Sequence, residues 1–548
     1  MQIFSFSPFG YEGSLVTVEV DLRRGIPAID IVGLADGAVK ESRERMRAAI
    51  KNSRFEFPPE RVLISLSPAD MKKEGAGFDL AIALAVLEAK ESGGYYYNES
   101  VHKTPGCKSD AKRNRFTTVT SDDVLVMGEL ELSGKVRSVR AVHAAASTAA
   151  AGGIMRCIVP AADADEAREV PGMKVYGADS LEGAFNALSH PEFFTERGDS
   201  VENAFVPAGC TELNGVLFPP VPAGCEFADI IGQSFLIRGL QIAAAGGHNL
   251  LAVGAPGCGK TMALQKFSAL LPLLTVEEAQ PVTRIYSLAG LMPNQEPLIR
   301  IAPFRQPHQT ATIQGMCGGG PYCIPGEISL AHNGVLFLDE AAEFRSSVLQ
   351  MLRVPIESGR VTLARAGRST VYPASFQLLM AANPCPCGNF GSKNKVCLCS
   401  ARAVEQYWKK FSAPLLDRID IRIPVENIPV SFDRNLSESC ARRLSTEVLR
   451  KGIARAVVIQ RNRQGCRNAR LTPQNVTEYC CMMSGARSLL DVAAARYSFS
   501  PRAVSSCLKL SRTIADMSGD EIIGEEHMRE AVNYRKACSS FLPGNNDN

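Results

Sequence analysis

Residues 254–261 read Gly-Ala-Pro-Gly-Cys-Gly-Lys-Thr, a complete G-x-x-x-x-G-K-[ST] pattern. Such a loop lets backbone N–H groups wrap around phosphate oxygens, and it works only when a strand delivers it and a helix leaves it. Both signals are present. A short apolar run, residues 250–253, precedes the loop, and Leu264, Phe267 and Leu271 recur at helical spacing after it. The pattern assigns Gly254, Ala255, Pro256, Gly257, Cys258 and Gly259 to a phosphate cradle. Lys260 would reach the β- and γ-phosphates of ATP, and Thr261 would hold Mg²⁺. A thiol at Cys258 would make this loop sensitive to oxidation.

Two further apolar runs, residues 335–338 and 376–381, have the length and continuity of parallel strands buried on both faces. The first ends in Asp339 and Glu340. After a P-loop, such a pair places Asp339 near the Mg²⁺ shell and makes Glu340 the base that polarises water. The second leads to Asn383, whose amide can orient the attacking water, although an Asn at a strand end is as often a turn former. Arg418, within Leu-Leu-Asp-Arg-Ile-Asp at 415–420, can stabilise charge on a transferring phosphoryl group; an ion pair with Asp417 or Asp420 is the alternative.

The chain has 548 residues, enough for several cores. Residues 1–190 have an α+β pattern. Alternation over 14–34 around Arg24-Gly25-Ile26-Pro27 predicts paired strands, followed by a helix over 36–52, a strand over 61–66 and a helix over 78–89. Residues 93–117 read as a surface loop, and structure resumes at 124–132. The Pro-rich residues 191–226 predict a linker. The α/β unit then spans 227–430. Residues 431–548 predict a helical lid, with helices over 442–461, 488–496, 501–517 and 525–537.

Composition excludes little but is consistent. With 45% hydrophobic and 21% charged residues the chain is a soluble globular type, and a net charge of +3 leaves no global nucleic-acid footprint. No apolar run approaches the roughly 18 residues needed to cross a membrane. The first residues lack the pattern of a signal peptide, and the 17 cysteines then predict reduced thiols in the cytoplasm.

Three features lie outside the nucleotide motifs. Cys385, Cys387, Cys397 and Cys399 form two Cys-x-Cys pairs separated by nine residues. Four thiolates could hold a structural Zn²⁺, with no open coordination site; four metal-free thiols are the alternative, since Cys-x-x-Cys is the commoner spacing. Residues 360–372 read as a hairpin about Ala366-Gly367 carrying Arg360, Arg365 and Arg368, suited to sequence-independent phosphate contacts or simply exposed. Residues 442–470 hold nine basic side chains against Glu447 alone, a solvated face or a surface for nucleic acid or an acidic neighbour.

The P-loop, the Asp-Glu strand, Asn383 and Arg418, in this order, resemble an AAA+ ATPase. More closely, they resemble the magnesium-chelatase-like group called YifB or ComM. The likeness extends to FADIIGQ at 227–233, AAAGGHNL at 243–250, PFRQPH at 303–308, PGEISLAH at 325–332, NPCPCG at 383–388, Ser500-Pro501-Arg502 and RTIAD at 512–516. Gln309 departs from the pattern, where a second histidine usually follows His308.

The resemblance implies a P-loop AAA+ parallel sheet with Asn383 as first sensor and Arg502 contacting the nucleotide from the lid. Arg418 would be an arginine finger entering the neighbouring subunit's site, which implies a homo-hexameric ring. It also implies an N-terminal Lon-protease-like domain of ribosomal S5 domain 2-type fold. A Lon-type peptidase needs a serine activated by lysine. Here Gly75-Ala76-Gly77 stands where the serine is expected and His143 where the lysine is; Ser67 and Lys72 match no such arrangement. The implied work is that of a DNA motor acting on branched or single-stranded DNA. The group is associated with branch migration during recombination of transforming DNA, and a hairpin before the first sensor touches the DNA backbone in related ring helicases. The alternative is a chelatase-type motor that remodels a protein or metal-insertion partner; an ATP-dependent peptidase and a non-hydrolysing nucleotide switch are disfavoured.

Overall fold

The computed structural model describes residues 1–34, 36–69, 71, 73, 75–92, 122–196, 205–293, 296–365, 368–391, 395–426 and 444–536. The loop expected at 93–117, Lys72, Arg442 and Arg443 lie outside the described residues.

The N-terminal part is built on an eight-stranded mixed sheet. Strand Ile3–Ser7 pairs antiparallel with Ser14–Arg23 and parallel with Val124–Val126, and the sheet continues through Arg156–Pro160 and Lys174–Ala178 to Thr195–Glu196. Alternation divides the side chains between the faces. Ile3, Val16, Val18 and Val124 meet helices Gly37–Asn52 and Asp79–Glu91, whereas Phe4, Phe6 and Leu125 meet helix Val142–Ala151. The strands expected to pair within 14–34 do not touch. Arg61–Ser67 lies between them, antiparallel to Ser14–Arg23 and parallel to Ile29–Val32. Alternation specifies a half-buried strand but not its partner, and Val62, Ile64 and Leu66 bury on the face that both neighbours share.

Part of the expected linker is structured. Strands Thr211–Leu213 and Val216–Phe218 form a hairpin, and Val216 and Phe218 are buried with Phe227 in the central core. The prolines punctuate turns here and do not mark a free tether.

The central part is a five-stranded, all-parallel sheet in the order Phe304–Arg305, Val335–Leu338, Gln377–Ala382, Leu250–Gly254, Ile421–Val425. The three middle strands are buried along their whole length, as their unbroken apolar runs require. Both outer strands escaped the sequence reading. Ile421–Val425 alternates, with Ile421, Ile423 and Val425 inward, and tolerates Pro424 because it is an edge. Helix Ser234–Gly246 and the C-terminal helices cover one face; Trp408, Tyr407 and Phe344 help cover the other.

The C-terminal part is helical: Thr446–Gln464, Pro473–Tyr479, Ser484–Arg496, Pro501–Ser518 and Glu525–Lys536. It is clamped to the sheet by the 415–420 turn. Ser500 caps its helix at the Ala503 N–H (3.1 Å) and donates to Asp417 (3.0 Å). Arg535 donates to the same carboxylate (2.9 Å), and Asp420 accepts from Ser506 (2.5 Å) beside His248 (3.3 Å).

Helix Val276–Ala289, opened by a Thr275–Glu278 capping box, joins the central part to the N-terminal sheet. Gln280 meets His143 Nε2 at 2.8 Å, Ser287 donates to Glu166 (2.5 Å), and Arg284 stacks on the Tyr11 ring while donating to the Tyr11 carbonyl (3.0 Å).

Candidate nucleotide site

Parallel register assembles the site. Val253 lies beside Ala382 and Leu338 beside Met380, so the P-loop, Asp339 and Asn383 emerge together at the carboxyl ends of three adjacent strands. Ligands of open α/β sheets bind at this edge. Gly259 turns the loop into helix Lys260–Gln265 with φ +85°, where a side chain would be strained. The helix is shorter than expected: it tightens into a 3₁₀ segment, Lys266–Leu270, which still buries Leu264 and Phe267.

A cavity of about 360 Å³ opens over the loop. Pro256, Gly257, Gly259, Lys260, Thr261, Asp339, Glu340 and Asn383 all line it. The Lys260 ammonium is folded back, donating to the carbonyls of Gly254 (2.7 Å) and Ala255 (2.9 Å) and to Asn383 Oδ1 (3.3 Å). Burial lowers its pKa below the ordinary lysine value, and Cys258, Asp339 and Glu340 offset part of that effect. Cys258 is buried behind the ammonium, 3.7 Å from it, and is not among the cavity lining.

Thr261 Oγ1 donates to Asp339 Oδ1 at 3.0 Å, and the Glu340 N–H donates to the same oxygen at 3.0 Å. A hydroxyl and a carboxylate so placed, facing a cavity beside a lysine, form an oxygen donor set that fits Mg²⁺. Glu340 sits at φ +46°, rare for a residue with a Cβ, and its side chain is exposed.

The two sequence-assigned arginines are elsewhere. Neither lines the cavity. Arg418 and Arg502 both bind the carboxylate of Glu357, Arg418 through Oε2 and Arg502 through Oε1 (2.7 Å). The alternative of an ion pair between Arg418 and Asp417 or Asp420 is not realised, because both carboxylates face the lid. Sequence reasoning missed Glu357; a lone Glu before Ser-Gly carries no signal of its own.

The remaining candidates separate clearly. Strands Arg360–Arg365 and Arg368–Pro373 form the expected hairpin, with Arg360 and Arg365 exposed. The Arg368 backbone pairs with Arg365. The basic run is corrected. Arg450 donates to the Ala269 carbonyl (2.7 Å) and lies over Phe218; Arg463 holds both oxygens of Asp516 (2.8 and 2.9 Å). Arg467 donates to the Ala244 carbonyl (2.9 Å), Arg470 to that of Ser375 (2.9 Å) and Arg455 to that of Ser518 (3.1 Å). Arg461 faces Glu278 (3.7 Å), and Lys451 pairs with Glu447 (2.8 Å). Charges that read as a solvated face are mostly ties between helices, a distinction that spacing alone does not encode.

Cys385, Cys387, Cys397 and Cys399 bring their sulfurs within 4.8 Å of one another. In the N-terminal part, Ala76–Phe78 is a short 3₁₀ turn, and His143 is buried against Gln280.

Three sequence families match the chain: "Magnesium chelatase, subunit ChlI" over residues 226–431, "Subunit ChlI of Mg-chelatase" over 18–101, and "Magnesium chelatase, subunit ChlI C-terminal" over 443–535. With the parallel sheet and P-loop, these matches define an AAA+-type ATPase of the magnesium-chelatase kind. Similarity also runs nearly end to end with two further relatives. The uncharacterized protein YifB of Escherichia coli is 36% identical over 529 residues, covering 96% of this chain and 95% of the relative. The competence protein ComM of Haemophilus influenzae is 35% identical over 536 residues, covering 97% of each. The magnesium-chelatase 38 kDa subunit of Acidiphilium rubrum is 23% identical over 330 residues, 55% of this chain and 87% of that protein. The chain belongs to the YifB/ComM family of magnesium-chelatase-like proteins.

No helix among the described residues is long and apolar enough to cross a membrane.

Proposed function

We propose that this chain is the subunit of a homo-hexameric cytoplasmic ring that couples ATP hydrolysis to movement of branched or single-stranded DNA, as in recombination of transforming DNA. One observation carries the reading. The cavity gathers Lys260, Thr261, Asp339, Glu340 and Asn383, yet both candidate arginines lie off it on Glu357. A site with every part but its arginines is completed by a neighbour.

In this reading the P-loop N–H groups and the Lys260 ammonium receive the phosphates, Lys260 leaving its carbonyl contacts as it does so. Thr261 and Asp339 would hold Mg²⁺, which would supply charge that neutralises the transferring phosphoryl group. Glu340 accepts the proton of the attacking water, and Asn383 orients that water. Arg418 and Arg502 act together on the adjacent subunit's γ-phosphate. Arg502, which the family resemblance places on the nucleotide from the lid, makes that contact across the subunit boundary in this reading.

We assign residues 1–190 to a Lon-like, S5 domain 2-type domain without a catalytic dyad, residues 227–430 to the ATPase core and residues 431–548 to the lid. His143 supports the absence of peptidase activity, since its ring is engaged by Gln280 within a buried junction. Exposed Arg360 and Arg365 on the hairpin, with Arg368 at its turn, are the DNA contacts. Similarity to a competence protein supports a DNA substrate.

A second reading, a motor that remodels a protein or metal-insertion partner, is favoured by the inward engagement of the basic run, which removes one of two basic surfaces. Branch migration of a synthetic four-way junction with heterologous ends separates the two. Migration by the wild type but not Lys260→Ala supports the DNA motor. No migration, with ATP turnover indifferent to DNA, moves the assignment to the second reading.

A further inference from the structure

Among its described residues, the excursion between Asn383 and helix Ala401–Lys409 buries few apolar side chains. Val396 and Leu398 point outward, 79% and 89% exposed. What converges instead is sulfur. Cys385 Sγ lies 3.3 Å from Cys387 and 3.7 Å from Cys397, and Cys387 lies 3.6 Å from Cys397, with Cys399 in the same cluster. Tetrahedral zinc–thiolate bonds of about 2.3 Å place sulfurs about 3.8 Å apart, whereas a disulfide requires about 2.05 Å. The backbone supplies a donor suited to a thiolate: the Phe390 N–H reaches Cys385 (3.3 Å).

This cluster is wired to the nucleotide site on two sides. Cys385 follows Asn383 by two residues, and the intervening Pro384 carbonyl accepts the Trp408 indole N–H at 3.0 Å. Gly388 lies against the P-loop so closely that a Cβ there would fall 2.3 Å from Pro256 Cδ. The thiol cluster therefore abuts both the strand end that carries Asn383 and the loop that precedes Lys260.

We propose that the four cysteines bind one Zn²⁺, and that this metal holds Asn383 and Pro256 in register so that its occupancy sets the competence of the nucleotide site. Binding exchanges thiol protons for the metal, releasing them to solvent, and four sulfur ligands leave no position for substrate. The zinc serves as a clasp. The coupling rests on the ATPase reading above; the metal site itself does not.

The chain holds a single tryptophan, Trp408, so its emission reports on the clasp directly. Zinc content, Trp408 emission and affinity for a fluorescent ATP analogue would be measured on wild type, Cys387→Ser, Cys397→Ser and, as control, Cys481→Ser, whose exposed thiol is remote in sequence from the cluster. Expected are one zinc per chain in wild type and Cys481→Ser and less than a tenth of that in the other two. Stripping wild type with a mercurial and chelator should shift Trp408 emission and weaken analogue binding at least tenfold, both restored by Zn²⁺. This arm does not depend on the serine variants folding. Absence of stoichiometric zinc overturns the site. Stoichiometric zinc whose removal leaves Trp408 emission and analogue affinity unchanged overturns the clasp. A zinc-replete wild type that shows both responses but turns over no ATP leaves the clasp standing and rejects the hydrolytic reading.

Discussion

Arg418 and Arg502 share one carboxylate, taking opposite oxygens of Glu357. Arg418 comes from the turn after the sheet's central strands and Arg502 from the first turn of helix Pro501–Ser518, so this ion triad joins core and lid beside, not inside, the cavity. Arg418→Ala or Arg502→Ala should lower ATP turnover at least about 10³-fold, the scale of an arginine acting on a transferring phosphoryl group. Affinity of the isolated subunit for an ATP analogue should stay within threefold. Mixing Arg418→Ala subunits with Lys260→Ala subunits should restore part of the turnover, since each supplies what the other lacks. Mixtures as inactive as their components would remove the shared-site assignment. Glu357 is exposed, so Glu357→Gln should change stability by less than about 1 kcal/mol.

Glu340 is the exposed acid of the Asp339–Glu340 pair, while Asp339 is tied to Thr261. Glu340→Gln should cut kcat by at least about 10²-fold, the lower range for loss of a general base, with analogue affinity nearly unchanged. Asp339→Asn should instead weaken the Mg²⁺ dependence of binding. Single-turnover hydrolysis and a magnesium titration distinguish the two; equal effects of both variants on affinity would deny Glu340 its separate role.

Two groups of arginines should behave oppositely. Arg360→Ala with Arg365→Ala should leave thermal stability unchanged, weaken DNA binding and flatten its salt dependence by about one unit of log–log slope for each phosphate no longer neutralised. Arg463→Ala should do the reverse. It removes one of two cationic partners from the fully buried Asp516, the other being Arg512 (3.0 Å) beside the Asn468 amide (2.8 Å), and should cost about 2 kcal/mol with no change in salt slope. DNA binding that depends on Arg463 as strongly as on Arg365 would return the basic run to the DNA surface.

Acid should open the junction between the N-terminal sheet and helix Val276–Ala289. Burial holds His143 neutral and pulls its pKa down to about 4. An unfolded histidine titrates near 6.5, so the stability is complete above about 6.5 and is lost as pH falls through about 4, by up to about 3 kcal/mol. Hydrogen exchange of residues 276–289 should rise across that window, and His143→Gln should shift the rise to lower pH. His332, pulled by burial to about 3 while accepting the Ser375 N–H at 3.0 Å, should add acid sensitivity in the central part.

The candidate nucleotide site was legible because its determinants are local. A strand–loop–helix with fixed glycines and a strand ending in two acids have the same meaning wherever they occur. Parallel register then brought Asp339 and Asn383 beside Lys260 with no further information. Charge resisted reading. Whether Arg463 meets water, DNA or Asp516 depends on a helix folding back from 53 positions away. The partner of Ser14–Arg23 was hidden for the same reason, since Arg61–Ser67 inserts from beyond a helix. Glu357 was invisible because its role comes from two arginines distant in sequence that converge upon it.

The root of the arginine hairpin is not free. The Tyr11 N–H donates to Thr370 Oγ1 (2.9 Å), Tyr11 and Tyr372 rings meet edge to face at 5.7 Å, and a Cβ on Gly10 would collide with Thr370. The first turn of the chain is thus a fulcrum under the hairpin. A lever braced at its base transmits a load to the brace, so force met at the arginine tip arrives in the N-terminal sheet. That sheet would then serve as the anvil of the stroke.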